Sequence, residues 1–384
     1  MEEDEYLEVG DNSNDNYKDS IGEYPDCFTK MTDWERDLIT ENCKVREGAT
    51  HYYLDKWYDK YFTKVDETEM IREGWRFITG KGDLQPVLKN FFRELIMVSQ
   101  TASSRMSPMA SLLDDVCVDE MLEFTKKYPV FYPKEYTQFN RVNVYFGNAG
   151  KVASRVANFE PETAREIFTY HFQDENGFCT RDDLVCLDTS CGFGARMSGV
   201  LLNDPSYHFT YLGIDPNTKL QERLNEMGEF YKKHKLTNGT YDLRCQGSEV
   251  FIPEWVGKAD VMFTSPPYFD LEVYSNEETQ SLSYGSYHNW VKYFVQPTVI
   301  NIYKYLKPGG IAMINIKNMT KSKPAFDDFV RAFMRIKGFE RMPDYKYSPK
   351  RRKSFEKTLN YSEPIMVFKK VGVKQENSSK EETK

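Results

Sequence analysis

The chain has 384 residues, of which 40% are hydrophobic, 15% aromatic and 29% charged, and its net charge is −8. At roughly 100 to 200 residues per domain this length allows two or three domains, and the composition excludes a wholly disordered, collagen-like or coiled-coil protein. No apolar run approaches the roughly 20 residues of a membrane-spanning helix, and the acidic start lacks the basic and apolar regions of a signal peptide. We therefore expect a soluble, cytoplasmic protein with no membrane partner.

The seven cysteines and five histidines are scattered along the chain. No two cysteines form a C-x-x-C pair, and the histidines form neither an H-E-x-x-H nor an H-x-H motif. This distribution predicts reduced thiols rather than a disulfide framework, and it predicts no metal site.

Charge is distributed unevenly along the chain. Residues 1–30 contain ten acidic side chains and two lysines, which accounts for the whole net charge of −8. This segment and residues 372–384 lack apolar periodicity, so we predict that both are disordered tails. The one concentrated basic patch would suit a nucleic-acid backbone, with a solvated surface loop as the alternative; its central residues are Lys350, Arg351, Arg352 and Lys353.

Residues 31–150 carry a mostly helical pattern. Apolar residues between positions 87 and 98 recur with the 3.6-residue period of an amphipathic helix, and Pro86 suits its first turn. Shorter helices are predicted at residues 109–117 and 118–127. Because this region shows no chemical motif, we predict a helical accessory domain.

Residues 151–371 alternate between β-rich runs and helical stretches, which is typical of a mostly parallel sheet covered by helices on both faces. Ligands bind beyond the carboxyl ends of the strands in such sheets, so we expect the functional residues there. The predicted strands are residues 184–188, 209–215, 240–245, 259–264, 311–317, 339–347 and 364–369. The predicted helices are residues 195–203, 218–234, 289–306 and 325–337.

The first predicted strand ends at Asp188 and runs into a turn that contains Gly192 and Gly194. Glycines here let the backbone turn sharply and approach a ligand, and the next helix offers free N–H groups. Asp215 ends the second strand, where an acid commonly holds the hydroxyls of an adenosine ribose, and Glu249 follows the third strand. This pattern predicts an adenosine-containing cofactor; a purely structural glycine turn is the alternative.

Position 197, where dinucleotide-binding motifs place a third glycine or an alanine, is a methionine. Tight packing around a pyrophosphate is therefore disfavoured. S-adenosylmethionine (SAM), which contains no phosphate, fits this turn better than a nicotinamide cofactor does.

The most specific motif is Ser265-Pro266-Pro267-Tyr268, directly after the fourth predicted strand. Both prolines lack an N–H and have a fixed φ, so the turn is rigid and presents acceptors without a competing donor. The Ser265 side chain and the Pro266 carbonyl would accept the two hydrogens of an exocyclic amine, and Tyr268 would stack on a flat base. The motif predicts methyl transfer to an amine by orientation, with a structural proline turn as the alternative.

These motifs, in this order, resemble the SAM-dependent DNA amino-methyltransferases, which modify N6 of adenine or N4 of cytosine. The resemblance spans residues 153–370 and includes residues 155–161, which are similar to the family segment that closes over the methionine end of the cofactor. It implies a seven-stranded, mostly parallel, Rossmann-like sheet whose final strand pair is reversed. The order of the motifs, cofactor before catalytic turn, matches the family's gamma arrangement.

The resemblance also implies a role for each motif residue. Contacts with the methionine part of SAM would come from Phe159, Asp188, Gly192 and Gly194. Asp215 would hold the ribose and Glu249 the adenine amine. The target base would be held by Ser265, Pro266, Pro267 and Tyr268.

Two departures from the family leave questions open. Little chain remains after Tyr268 for a target-recognition domain, so sequence reading would come from the helical half, the loop 269–288 or the basic segment 346–357. Ser265 replaces the usual Asp, which leaves the target base open between cytosine and adenine. Five residues of the loop have two alternative roles, lining the pocket or packing on the surface: Asp270, Glu272, Tyr274, Tyr284 and Tyr287.

We therefore expect a DNA methyltransferase that acts on a base flipped out of the duplex, with the basic patch contacting phosphates. RNA and protein glutamine are alternative substrates, because those enzymes share the Pro-Pro-aromatic turn, although glutamine enzymes usually have Asn at the position of Ser265. The pattern also leaves open a catalytically silent cofactor- or nucleic-acid-binding module and a nicotinamide oxidoreductase. The sequence does not indicate an oligomeric state.

Overall fold

The computed structural model describes residues 26–45, 52–100, 106–120, 156, 158–347 and 363–372. Most of the two predicted tails lies outside these ranges, and so does the basic patch of Lys350, Arg351, Arg352 and Lys353. No helix in the described ranges is both long and apolar enough to cross a membrane. Within the same ranges, no group of three or more His, Cys, Asp or Glu side chains is placed to hold a metal ion.

A seven-stranded sheet forms the centre of the molecule. Its strands are β1 (Val185–Asp188), β2 (Thr210–Ile214), β3 (Thr240–Arg244), β4 (Ala259–Thr264), β5 (Leu306–Asn315), β6 (Phe339–Tyr347) and β7 (Glu363–Lys370). They lie in the order β3-β2-β1-β4-β5-β7-β6. The pairs among β1 to β5 are parallel, whereas β7 is antiparallel to both β5 and β6. The predicted mostly parallel, Rossmann-like sheet with a reversed final pair is therefore confirmed.

Helices cover the sheet and make up most of the described N-terminal half. They are α1 (Asp33–Asn42), α2 (Tyr52–Tyr61), α3 (Glu67–Ile78), α4 (Gln85–Val98), α5 (Pro108–Leu112), α6 (Pro161–Thr169), α7 (Ala195–Leu201), α8 (Thr218–Lys233), α9 (Tyr287–Trp290), α10 (Gln296–Tyr305) and α11 (Ala325–Met334). Local signals explain several of their starts: Pro86 lies in the first turn of α4, and the Asn217 side chain caps α8 by accepting the Leu220 N–H at 2.9 Å.

A π-helical turn, Val291–Val295, joins α9 to α10. Pro297 explains this turn, because it has no N–H to donate to the preceding turn of the helix and its ring would clash with the carbonyl four residues back. The wider turn relieves the clash, and such insertions often mark functional sites. The predicted single helix over residues 289–306 therefore contains an insertion that moves Phe294 relative to its neighbours.

The hydrophobic core consists of two clusters of buried side chains that use alternate residues of the strands, such as Cys186 in one and Leu187 in the other. The larger cluster contains Phe92 of α4 as well as Phe193 and Met197 beside the sheet. The helical half and the sheet therefore share one continuous core. The residues around the predicted domain boundary at position 150 lie outside the described ranges.

The predicted acidic tail, residues 1–30, extends too far at its C-terminal end. Asp26–Lys30 form a 3-10 helix in which Cys27 and Phe28 are buried in the larger cluster. The backbone N–H of Cys27 also donates to the Asp55 carboxylate at 2.7 Å. The tail was predicted from the high net charge of the whole segment, and this average does not reveal the short apolar stretch at its end.

Candidate active site

A cavity of about 940 Å³ lies at the carboxyl edge of the sheet, where residues that follow several strands converge. Of the residues that the sequence assigned to the cofactor or to catalysis, those that line it are Phe159, Gly192, Asp215, Glu249, Ser265, Pro267 and Tyr268. The lining does not include Asp188, Gly194 or Pro266. The cavity thus brings the residues of the cofactor motif and of the proline turn into one space.

Asp188 is fully buried and is surrounded by donors. Its carboxylate accepts hydrogen bonds from Arg196 Nε at 2.7 Å, the hydroxyls of Tyr211 and Thr264 at 2.8 Å each, and the Ser190 N–H at 3.1 Å. These partners follow or belong to β1, β2 and β4, so the carboxylate ties the strand ends together. This geometry supports a positioning role for Asp188, and the direct cofactor contact that the family resemblance implies stays a prediction.

The two glycines of the first turn have different surroundings. Both have left-handed backbones, with φ of 58° at Gly192 and 72° at Gly194, a conformation that favours glycine. Gly192 lines the cavity, and its N–H donates to the Asp215 carboxylate at 3.3 Å. Gly194 lies outside the cavity lining and packs against the ring of Phe92 in α4, so it contacts the helical half.

Asp215 lies at the end of β2 with its carboxylate in the cavity wall. The N–H groups of Gly192 and Asn217 donate to it at 3.3 and 3.2 Å. Burial nevertheless raises the pKa of Asp215 to about 6, because desolvation penalises the charged form more than these two hydrogen bonds stabilise it. A ligand that brings further donors, such as a pair of hydroxyls, would stabilise this carboxylate.

Glu249 supplies a second carboxylate to the cavity wall, after β3. Its Oε2 is buried and has no hydrogen-bond partner among the described residues, although the carboxylate interacts with the Tyr284 hydroxyl, whose pKa is raised by burial and by this neighbour. The backbone around it is held by Asn301, whose Nδ2 donates to the carbonyls of Ser248 and Glu249 at 3.0 Å each. A buried acceptor without a donor is costly, so this oxygen is suited to a ligand N–H such as that of an adenine amine.

The proline turn directly follows β4, whose six residues are all buried. Ser265 lines the cavity, Pro266 is buried behind it, and Pro267 and Tyr268 line the cavity again. The Tyr268 side chain is 8% exposed, and its hydroxyl accepts the Lys317 N–H at 3.1 Å. The ring is therefore held in place at both ends, by the rigid turn and by this hydrogen bond.

Residues 269–286 form a loop that borders the cavity beside the proline turn. The loop is anchored to the helical half, because Gln100 and Val273 form an antiparallel bridge and Asn276 Nδ2 donates to the Glu41 carbonyl at 2.7 Å. It is also anchored to the start of α8, where the Glu277 carboxylate accepts from the Thr218 hydroxyl at 2.6 Å. The helical half therefore helps to hold one wall of the site.

The sequence left two roles open for five loop residues, lining the pocket or packing on the surface, and the structure distinguishes between these roles. Glu272, Tyr274 and Tyr284 line the cavity. Asp270 and Tyr287 do not: the Asp270 carboxylate accepts from Lys323, and the Tyr287 hydroxyl donates to Asp328 at 2.7 Å. Both of these partners come from the region around α11, which the loop sequence alone does not reveal.

Several lining residues were missed by sequence reasoning, namely Arg196, Leu220, Phe294, Asn315, Lys317 and Pro364. Phe294 lies in the π-helical turn and lines the cavity. The sequence feature that could have indicated this turn is the proline at position 297. Pro364 comes from β7, whose reversal brings its start to the carboxyl edge of β5. Arg196 follows the glycine turn directly, but an arginine near the start of a helix looks like a solvated surface residue.

The basic patch is described only through its flanks. Tyr347 and Glu363, which bound the undescribed residues 348–362, pair with each other at the ends of β6 and β7. Pro364, the next residue, lines the cavity. The chain therefore leaves and re-enters the sheet at the edge that carries the site.

No protein-family model matches this chain, and no curated protein matches it. Solved structures with similar folds include a SAM-dependent O-methyltransferase from Thermotoga maritima, with 10% identity over 58% of this chain and 69% of that chain and a TM-score of 0.36. A TehB-like SAM-dependent methyltransferase from Corynebacterium glutamicum has 13% identity, covers 67% of this chain and 100% of that chain, and has a TM-score of 0.33.

A third similar structure is a SAM-dependent methyltransferase from Methanosarcina mazei, with 10% identity over 50% of this chain and 94% of that chain and a TM-score of 0.33. Similarity at this level carries no inference about reaction or substrate.

Proposed function

We propose that this chain is a SAM-dependent DNA methyltransferase that transfers a methyl group to the exocyclic amine of cytosine (N4) or adenine (N6) in a flipped base. One observation carries the proposal: a single cavity holds both the acceptors for a nucleoside cofactor and the rigid Ser265–Tyr268 turn. An electrophilic methyl group and a planar amine would therefore meet in the same space.

The cavity fits an adenosine-containing cofactor. Asp215 offers a carboxylate to the two ribose hydroxyls, and Glu249 offers a buried, unpartnered oxygen to the adenine amine. Its volume of about 940 Å³ is near the upper end of the usual 300 to 1,000 Å³ for ligand sites, which leaves room for a base beside the cofactor. When bound, SAM would supply a methyl group on a positively charged sulfur.

The proline turn would orient the target amine. The Ser265 hydroxyl oxygen would accept one amine hydrogen, and the fixed Tyr268 ring would stack on the base. With SAM bound, the turn would hold the amine nitrogen in line with the methyl carbon; transfer would break the carbon–sulfur bond and leave its electron pair on sulfur, and the nitrogen would lose a proton to solvent. No enzyme nucleophile is required. Burial raises the pKa of the Cys191 thiol well above its ordinary value, which disfavours the reactive thiolate.

The residues that flank the basic segment support nucleic acid over a protein glutamine as the substrate. Residues 348–362, with Lys350, Arg351, Arg352 and Lys353, join the sheet at Tyr347 and Glu363, beside the cavity residue Pro364. Phosphate contacts from these side chains would offset the few kcal/mol that flipping a base costs.

Methyl transfer from isotope-labelled SAM to duplex DNA, single-stranded DNA and RNA tests the proposal, with digestion to nucleosides and mass spectrometry as the readout. We expect labelled N4-methylcytosine or N6-methyladenine in DNA. Ser265→Ala should lower turnover by about 100-fold or more, because orienting groups contribute on this scale, and should leave cofactor affinity unchanged. Ser206→Ala, in a turn away from the cavity lining, is the matched control.

Three outcomes would contradict the proposal in different ways. Label only in RNA would change the substrate. Cofactor binding without transfer to any nucleic acid would favour a silent binding module or a protein substrate. Equal activity of Ser265→Ala and the wild type would remove the turn from the reaction.

A further inference from the structure

Arg196, in the first turn of α7, is a cation buried in the wall of the cavity. It is 6% exposed and lines the same end as Thr189, Ser190 and Gly192. A Cβ added to Gly192 would lie 3.5 Å from Nη2 and 3.9 Å from Nη1 of this arginine. The guanidinium therefore lies directly against the glycine turn.

The guanidinium is only partly used by the protein. Nε donates to Asp188 at 2.7 Å, and Nη2 donates to the Ser190 carbonyl. Among the described residues, Nη1 makes no hydrogen bond. It is also not fully enclosed by protein atoms. Because arginine carries five N–H donors in a planar fork, donors remain for an acceptor in the cavity.

A second polar group at this end also lacks a partner. The Thr189 side chain is 4% exposed, and its Oγ1 is buried without a hydrogen-bond partner among the described residues. Thr189 and Arg196 line the same cavity, and unpaired buried polar groups are otherwise costly, which supports a ligand oxygen in this wall.

The charges around the cavity indicate where an anionic ligand group would bind. Among the described lining residues the acids are Glu160, Asp215, Glu249, Glu272 and Glu278, whereas the cations are Arg196 and Lys317. Lys317 is exposed and follows β5, beside the Tyr268 hydroxyl. A ligand carboxylate would be repelled from most of the wall. At Arg196, whose charge is partly offset by the ion pair with Asp188, the remaining N–H donors would hold it by hydrogen bonds.

We propose that Arg196 binds the α-carboxylate of the ligand's amino-acid end, with the Thr189 hydroxyl as a further donor. This inference rests on the proposed function and deepens it, because a nucleoside placed on Asp215 and Glu249 leaves the glycine turn for its amino-acid end. Asp188 then acts through Arg196: by accepting from Nε it fixes the guanidinium so that the remaining N–H groups face the cavity.

Isothermal titration calorimetry with three ligands tests this role without requiring turnover. S-adenosylhomocysteine carries the carboxylate, its methyl ester lacks only the negative charge, and 5′-methylthioadenosine lacks the amino-acid end. For wild type, the ester should bind about 10- to 100-fold more weakly than S-adenosylhomocysteine, the range for charge-assisted hydrogen bonds. Arg196→Gln should weaken S-adenosylhomocysteine by the same factor and change 5′-methylthioadenosine affinity by less than about threefold.

Two controls separate binding from folding. Arg165→Gln replaces a half-buried arginine of α6 that does not line the cavity, and it should leave all three affinities unchanged. If Arg196→Gln fails to fold because Asp188 is left unpaired, Lys317→Gln, which removes the other lining cation, supplies the comparison: it should keep the wild-type preference for S-adenosylhomocysteine over its ester, and loss of that preference would overturn the inference.

The inference is overturned if Arg196→Gln weakens both nucleosides equally, which would be a structural effect, or if the wild type binds the ester as tightly as the acid. If the wild type binds none of the three nucleosides, the proposed function itself fails, and this outcome is distinct from the other two.

Discussion

The ring of Phe92, in the N-terminal helix α4, occupies the space where a side chain on Gly194 would begin: a Cβ there would lie 2.4 Å from Cε2 of the ring. Because the φ of Gly194 is also 72°, two independent constraints require glycine at this position. A glycine that the motif assigns to the cofactor is thus also a contact that joins the helical half to the seven-stranded sheet.

Gly194→Ala should therefore destabilise the fold. We expect a loss of about 2 to 4 kcal/mol in the free energy of unfolding, from backbone strain together with overpacking against Phe92. Urea denaturation of Gly194→Ala, Phe92→Leu and the double variant separates the two causes. The smaller Leu should relieve the overpacking against the alanine. The double variant should therefore lose less free energy of unfolding than the sum of the losses in the two single variants. Strict additivity would mean that the ring and the glycine do not interact.

Asn276 links the loop over the cavity to the end of α1. Its Nδ2 donates to the Glu41 carbonyl at 2.7 Å, and its N–H donates to Asn42 Oδ1 at 3.1 Å. Asn276→Ala removes the first bond, so we expect faster amide hydrogen exchange in residues 270–286 and roughly three- to tenfold weaker S-adenosylhomocysteine binding. Asn238→Ala, which removes a similar exposed bond to the Pro205 carbonyl, is the matched control and should affect neither.

Asp215 should make cofactor binding pH-dependent. Burial raises its pKa to about 6, so the carboxylate is ionised above that pH and becomes protonated as the pH falls through it. Ribose hydroxyls donate to the ionised form, so affinity for S-adenosylhomocysteine should be constant above about pH 7 and weaken about tenfold per unit well below pH 6. Calorimetry between pH 5 and 8 measures this.

Asp215→Asn provides the test of that assignment. It should bind weakly at every pH and show a flat profile, whereas Asp204→Asn, in an exposed turn, should keep the wild-type profile. A wild-type profile that persists in Asp215→Asn would show that another group titrates.

The Tyr268 ring and hydroxyl make separable contributions. Tyr268→Phe keeps the ring and loses the bond to the Lys317 N–H, so we expect activity within about fivefold of the wild type. Tyr268→Ala removes the stacking surface, which is worth about 1 to 3 kcal/mol per base, and should weaken substrate use by about 5- to 150-fold. Steady-state kinetics with a methylatable oligonucleotide distinguish the two. Equal losses in both variants would show that the ring does not stack on the base.

Much of the fold could be predicted because the central strands β1, β2 and β4 are short, mainly apolar runs that end at a polar turn. Residues next to strand ends, such as Asp215, Glu249 and Ser265, followed from the same rule, since parallel strands bring their carboxyl ends to one edge. The alternation of strands and helices therefore located both the sheet and most of the candidate site.

What could not be predicted depends on contacts between distant segments. Asp188 is buried by Arg196, Tyr211 and Thr264, which lie 8, 23 and 76 residues away along the chain. Its carboxylate therefore faces the protein, and Arg196, which looks like a surface residue in the sequence, faces the cavity. The position of Phe294 in the cavity wall depends on the local change from an α-helical to a π-helical turn. The contact between Gly194 and Phe92 depends on how the helical half packs, which no motif in that half indicates.

A crystal structure of the protein with sinefungin, whose amine replaces the transferable methyl group of SAM, tests the central claim most directly. The target nitrogen must contact both the Ser265 oxygen and the methyl carbon, each at roughly 3 Å. We therefore expect the sinefungin amine to point at the proline turn, within about 6 Å of Ser265 Oγ, with the ribose on Asp215. An amine directed away from the turn, or a ribose far from Asp215, would contradict the account.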